Sequence, residues 1–245
     1  MQALVYTDTQ KLIYREEKNP KLVNGESIIK VSASGICGSD MHAYHGEDNR
    51  RIPPLILGHE VSGVIHQGKQ SGKKVVLNPL ITCGKCEHCS IGREHLCNKR
   101  IILGMNRPIE RQGGFAEYVS IPDKNIYELP NIDIKEAPIA EPTAVALHAV
   151  EIGEKNLKNK TLENAKTLII GAGAIGLLSG LILSKVKKCK NIVIVDPNNK
   201  RLKKCGEFLE ADAVNPDSKC IINDYFDIVF DTVGLEKTRI SAIKS

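Results

Sequence analysis

The chain has 245 residues, 42% of them hydrophobic and 26% charged, with 34 basic against 29 acidic side chains for a net charge of +5. That length buries a substantial core in one large or two modest domains, the apolar content excludes wholesale disorder, and no run approaches the roughly 18 apolar residues of a bilayer span, so no membrane partner is expected. The opening MQALVYTDTQ lacks the basic and then apolar pattern of an export signal, which points to the cytoplasm.

In chain order, the first half reads as β. Short apolar runs at Ser27 to Ser32, Glu60 to His66 and Lys74 to Asn78 are separated by Gly, Pro and polar turns. The texture changes near Ile139, where Glu141-Pro142 opens an apolar stretch, Thr143 to Ile152, of helical character. After a polar linker over 154–164, strand and helix alternate. Strands are expected at Thr167 to Ile170, Asn191 to Val195, Ala213-Val214 and Asp227 to Thr232, with helices at Ala174 to Lys187 and Asn198 to Leu209. This alternation predicts a parallel, doubly wound sheet, so the fold class is α/β with a mainly β N-terminal part. In the strand order 3-2-1-4-5-6, Asp227 to Thr232 is the fourth strand. A complete dinucleotide domain has about six, so the chain is expected to be a fragment of a longer protein.

The Lys clusters at 185–190 and 200–204 read as solvated helix faces. With no Trp and 4% aromatics there are few stacking platforms, and no nucleic-acid partner is expected.

Eight cysteines are present, and four fall within fifteen residues as C-x2-C-x2-C-x7-C: Cys83, Cys86, Cys89 and Cys97. In a chain without an export signal, such a cluster argues for a metal before disulfides, and four thiolates on one loop close a tetrahedral zinc shell. His88 and His95 lie within reach, but four cysteines already satisfy the ion. Upstream stand Cys37-Gly38-Ser39-Asp40-Met41-His42 and then Gly58-His59-Glu60. A thiolate, an imidazole and a carboxylate from distant segments suit a catalytic zinc, where three protein ligands leave one position for water or substrate.

Further on, Gly171-Ala172-Gly173-Ala174-Ile175-Gly176 is a G-x-G-x-x-G turn between an expected strand and helix, with Asp196 twenty residues beyond Gly176. Together these make the dinucleotide fingerprint. The glycines let the backbone approach the pyrophosphate at a helix N-terminus, and the acid binds the ribose hydroxyls. An acid there repels a 2′-phosphate, so the expected cofactor is NAD.

These motifs, with G-G-F-A-E-Y at 113–118 and A-E-P at 140–142, resemble the zinc-dependent medium-chain alcohol dehydrogenases, particularly the polyol (sorbitol-like) and threonine dehydrogenase branches. The resemblance runs along the whole chain. It implies a GroES-like zinc-binding catalytic domain over 1–150, followed over 151–245 by an NAD-binding Rossmann domain incomplete at its C-terminus. It also implies two zinc ions per chain, with Cys37 and His59 on the catalytic one. Glu60 would be a direct ligand or a neighbour exchanging with substrate. Glu141 takes the place of a cysteine in the classical enzymes, touching zinc directly or through water. Asp40 would orient His59, as metal-bound imidazoles require. Ser39 and His42 would form a proton relay, Ile175 would pack against the cofactor, and Arg201 would lie near the adenosine ribose. His45 reads as a surface residue.

The implied activity is hydride transfer from a secondary alcohol, a polyol or sugar alcohol, to NAD+, by a homo-oligomer (dimer or tetramer) when full length. The nearest alternative is L-threonine 3-dehydrogenase; one of another class is a non-catalytic, zinc-stabilised binding fragment.

Overall fold

A computed structural model describes residues 1–216 and 224–245, so Cys220 lies outside the described residues. The chain divides into two compact units, Met1–Glu141 and Pro142–Ser245.

The first unit is built from antiparallel pairs. Its elements are β1 (Gln2–Asp8), β2 (Lys11–Glu16), β3 (Glu26–Gly35), α1 (Gly38–Tyr44), β4 (Leu55–Ile56), β5 (Glu60–Gln67), β6 (Lys74–Leu77), β7 (Leu80–Ile81), α2 (Glu87–Ser90), β8 (Ile101–Ile102), β9 (Tyr118–Pro122) and β10 (Ile126–Glu128). A five-stranded sheet in the order β10-β6-β5-β3-β9 carries the core, beside a three-stranded sheet β2-β1-β4 and the small ribbon β7-β8. Ile29, Val61, Val75, Leu103, Val119 and Ile121 fill the core of the large sheet. Burying each side chain of this size stabilises by about 1.5–3 kcal/mol relative to exposure. In the β3–β5 pairing, Gly35 stands opposite Glu60. This register places the residue two beyond Gly35, Cys37, beside the residue preceding Glu60, His59.

The second unit is a parallel sheet in the order β13-β12-β11-β14. Its strands are β11 (Lys166–Ile170), β12 (Asn191–Val195), β13 (Asp212–Val214) and β14 (Ile228–Asp231), with helices α3 (Ala140–Asn156), α4 (Ala174–Leu181), α5 (Asn199–Gly206) and α6 (Glu236–Lys244). Numbered by appearance within this sheet, the order is 3-2-1-4, as the doubly wound reading requires. Leu168 and Ile169 of β11 are completely buried. A central parallel strand covered on both faces reads as a continuous apolar run for this reason.

Three elements depart from expectation. The helix expected over 174–187 is α-helical only to Leu181, and residues Ile182–Val186 form a π turn. There the Lys187 N–H reaches back five residues to the Ile182 carbonyl, and Lys188 adopts a left-handed φ of 58° to end the helix. The helix expected over 198–209 ends at Gly206, while its start is fixed by the Asn198 side chain, which accepts from the Lys200 and Arg201 N–H groups. The stretch 38–44 is a helix, α1, although its polar and glycine content shows no apolar period. Among the described residues no helix is long and apolar enough to cross a membrane.

Candidate active site and metal centres

The four-cysteine loop brings its sulfurs together as its spacing predicts. Sγ–Sγ separations are 3.4 Å for Cys86–Cys89, 3.6 Å for Cys97–Cys83 and 3.9 Å for Cys83–Cys89. A disulfide needs about 2.05 Å, whereas a tetrahedron with zinc–sulfur bonds of about 2.3 Å has edges of about 3.8 Å. The electrostatics agree. Backbone N–H groups of Lys85 and Cys86 pull the Cys83 thiol down to about 6, while desolvation and the neighbouring sulfurs push Cys89 up to about 11. Four adjacent thiols cannot all ionise unless a cation sits between them, so this donor set fits zinc. The loop is anchored at its base. Lys124 donates to the Thr82 carbonyl, and the buried Asn125 amide donates to the Asn78 and Leu80 carbonyls at 2.9 and 2.8 Å.

The second cluster is assembled across the β3–β5 register. Ligand atoms of Cys37, His59 and Glu60 all lie within 4.8 Å of one another. Cys37 is the residue preceding α1, and Asp40 accepts its backbone N–H at 3.0 Å, closing the first turn. The other Asp40 oxygen is 3.5 Å from His59 Nδ1, an ionic contact at the limit of hydrogen-bonding distance that leaves Nδ1 without a close partner. Gly35 leaves room for the Glu60 carboxylate: a Cβ at that position would come within 1.9 Å of Glu60 Oε2 and force it to move. The carboxylate therefore lies directly on the backbone beside Cys37.

Charge in this pocket is unbalanced. Burial disfavours an imidazolium at His59, yet Asp40 and Cys37 outweigh it and push the pKa up to about 10. The His59 contact holds the Cys37 thiol below its usual value against desolvation, and Ser39 adds to the lowering. Desolvation raises both Glu60 and Glu141, opposed by the nearby His59 and reinforced by Asp40. A buried site with a thiol and three carboxyl groups calls for positive charge, and a divalent cation held by Cys37, His59 and Glu60 meets that demand. Glu141, in the first turn of α3, is close enough to feel these charges but stands outside the three-ligand cluster. Ser39 is half-buried and His42 exposed, both on α1.

In the second unit the glycine turn joins β11 to α4. Gly171 has φ of 100°, and a Cβ on Gly176 would come within 1.9 Å of the Gly171 carbonyl oxygen. Nothing lies within 4 Å of the Cβ position of Gly173, so the backbone there is open to a ligand at the start of α4. Asp196, buried at the end of β12, accepts the Ala172 N–H at 2.9 Å and the Asn198 N–H at 2.7 Å. Each of its oxygens retains a lone pair for a further donor. Arg201 Nη1 is 3.7 Å from the same carboxylate, and Ile175 is half-buried in the first turn of α4. Sequence reasoning missed Glu47, which contacts His42, and Arg51, which contacts Ser39. Neither lies in a motif, and only the buried or paired state of the side chain reveals it.

Residues 23–131 match the alcohol dehydrogenase GroES-like domain. Among curated relatives, the chain is 36% identical over 213 residues to L-threonine 3-dehydrogenase of Marinomonas sp. (82% of this chain, 59% of the relative). It is 30% identical over 225 residues to L-galactonate-5-dehydrogenase of Escherichia coli K12 (89% and 63%). Among solved structures, the alcohol dehydrogenase rspB of E. coli CFT073 in complex with NADH superposes with a TM-score of 0.83 at 29% identity, covering 99% of this chain and 72% of that one. A zinc-binding dehydrogenase of Sinorhizobium meliloti bound to NADP gives 0.84 at 28%, covering 97% and 71%. The chain spans about three fifths of the length of the curated relatives it matches.

Proposed function

We propose that the chain belongs to the zinc-dependent medium-chain alcohol dehydrogenase family and serves the transfer of hydride from a secondary alcohol, of the polyol or sugar-alcohol class, to NAD+. The observation that carries this reading is the Cys37–His59–Glu60 cluster, with His59 and Glu60 buried and Cys37 half-buried, standing apart from a four-sulfur loop. A zinc ion held by Cys37 and His59, with Glu60 as an exchangeable neighbour, would supply Lewis acidity toward the substrate hydroxyl and lower its pKa. Glu141 contributes negative charge to that site. Asp40 orients His59. Cys83, Cys86, Cys89 and Cys97 would hold a second, structural zinc.

The chain's own residues then have distinct tasks. Ser39 accepts the proton leaving the substrate oxygen, and His42 passes it toward water; histidine suits this step because it exchanges protons near neutral pH. Gly171, Gly173 and Gly176 shape the turn for the pyrophosphate, Ile175 packs against the cofactor, and Asp196 takes the ribose hydroxyls with Arg201 alongside. Replacing Asp196 with Ala should weaken NAD binding roughly tenfold to a hundredfold, since a hydrogen bond to a charged group is worth about 1.5–3 kcal/mol. Binding titrations with NAD and NADP read this directly, and wild-type protein that prefers NADP would transfer the deciding role to Arg201.

L-threonine is the second substrate reading, favoured by the threonine dehydrogenase among the relatives. The full-length protein is proposed to be a cytoplasmic homo-oligomer. The deciding experiment is metal analysis together with NADH formation over a panel of polyols, sugar acids and L-threonine. Two zinc ions per chain and turnover of one of these classes support the reading; a single zinc that survives Cys37→Ser defeats it.

A further inference from the structure

The loop that follows α1 touches both polar side chains of the relay, and nothing in the motifs assigns it a role. Its backbone is pinned at both ends. The Glu47 N–H donates to the His42 carbonyl at 2.9 Å, and the Arg50 carbonyl accepts from the N–H groups of Asn106 and Arg107 at 3.1 and 3.2 Å. From this frame Glu47 Oε2 lies 2.8 Å from His42 Nδ1. A carboxylate can only accept, so Nδ1 must carry the hydrogen, and a neutral His42 is left with Nε2 as its acceptor. His42 in turn holds the Glu47 carboxyl below its usual range. Both side chains are well exposed, so the pair adds little to stability; selecting one of two tautomers needs only a small bias.

At the other end of the loop, Arg51 has a side chain only 1% exposed. Its guanidinium spans three partners: the Asp48 carboxylate, the Gly104 carbonyl at 3.1 Å and Ser39 Oγ at 3.3 Å. Asp48 is itself held by Arg50 through Nε at 3.0 Å. Three fixed partners leave the guanidinium no freedom, so the N–H aimed at Ser39 is fixed too. A hydroxyl has one hydrogen to donate and two lone pairs. With one lone pair occupied by Arg51, Ser39 keeps one acceptor position for an incoming proton, and its own hydrogen is shared with the Cys37 sulfur, which it contacts.

We infer that Glu47 and Arg51 are positioning residues, and that the 47–51 loop holds His42 in its Nδ1–H tautomer and Ser39 in one rotamer. Their importance to catalysis rests on the dehydrogenase reading above; the orientation itself does not. The test uses the full 245-residue chain loaded with zinc. Long-range proton–nitrogen correlation spectra should show neutral His42 protonated at Nδ1, with the Nε2–H form becoming dominant in Glu47→Ala. Vicinal Hα–Hβ couplings of Ser39 should report one rotamer in the wild type and averaging in Arg51→Lys. That variant keeps a cation opposite Asp48, and so the fold, but lacks the planar fork that spans three acceptors.

In turnover of the full-length protein with NAD and the alcohol panel, both substitutions should lower kcat by about tenfold with KM little changed, part of the 10²–10⁴ that positioned proton transfer contributes. Wild-type His42 protonated at Nε2, a tautomer indifferent to Glu47→Ala, or Ser39 couplings unchanged in Arg51→Lys would overturn the inference. Unchanged kcat in both variants would overturn its catalytic consequence. A full-length wild-type protein without turnover, with spectra as described, would instead overturn the dehydrogenase reading and leave the orientation established.

Discussion

The two cysteine-bearing clusters of the first unit use the same element in opposite ways. In the loop over 83–97, four sulfurs arrive from one short segment and surround a point completely, at separations of 3.4, 3.6 and 3.9 Å. At Cys37, His59 and Glu60, three different donors arrive from two strand ends in a buried pocket ringed by Asp40 and Glu141. A closed set of four soft ligands leaves no position for chemistry, and its binding energy is folding energy. A mixed, three-donor set leaves one position open for a further ligand. Ligand count and burial, rather than the presence of cysteine, separate a structural metal from a reactive one.

The sharpest way to break this comparison is Cys37→Ser. It should remove one of two metal equivalents and abolish turnover, with circular dichroism and melting temperature close to wild type. Loss of both metals would mean that the clusters are not independent. Next comes Cys86→Ser, which should release the other equivalent and destabilise the first unit. Metal analysis should again find one zinc, and the melting temperature should fall by several degrees, as about 1 kcal/mol moves a domain of this size by about 2–4 °C. An unaltered melting curve would show that the loop contributes nothing to folding.

A smaller effect is expected from Gly35→Ala. The added Cβ would meet Glu60 Oε2 at 1.9 Å and must push the carboxylate away from Cys37. Overpacking of this kind costs about 1–3 kcal/mol. Affinity at the open site should therefore fall while the four-sulfur site keeps its metal, which competition with a graded chelator series can resolve. Equal weakening of both sites would contradict their separation.

The smallest effect concerns acid. Desolvation opposes ionisation of Asp48, but Arg50 and Arg51 overcome it and hold the carboxyl at about 2, below its ordinary 3.8. A depressed folded-state pKa contributes stability in full above the unfolded value and loses it as pH falls through the folded one. The stability difference between wild type and Asp48→Asn should therefore be constant above about pH 5 and shrink from about pH 4 toward pH 2. Denaturant titrations of both proteins at each pH check this, and comparing them cancels the acid release of metal that both share. A difference independent of pH would remove the charged pair from the account.

Much of the second unit could be read directly from the amino acids. A buried parallel strand is a continuous apolar run, and β11 and β12 lie within one residue of their expected limits. The glycine turn was legible because two of its glycines answer local demands, a positive φ at Gly171 and a close carbonyl at Gly176. Helix ends were less legible. The π turn over 182–186 and the stop at Gly206 depend on how the last turns close, which no apolar period reports. Helix α1 escaped notice because Asp40 caps its first turn while facing His59, a task visible only with both segments in place.

By itself the sequence determined whatever depends on neighbours along the chain: a four-thiol metal loop within fifteen residues, a strand–glycine–helix turn followed by an acid, and the alternation that demands a parallel sheet. Only the tertiary structure decided which distant groups share a pocket. The Gly35–Glu60 register brings Cys37 to His59, the burial of Arg51 aims it at Ser39, and the return of the chain after α1 sets Glu47 on His42. The reason is physical. Local backbone geometry follows from a few adjacent residues, whereas contact between side chains that are not neighbours along the chain depends on strand register, chain return and packing, which the whole core selects at once.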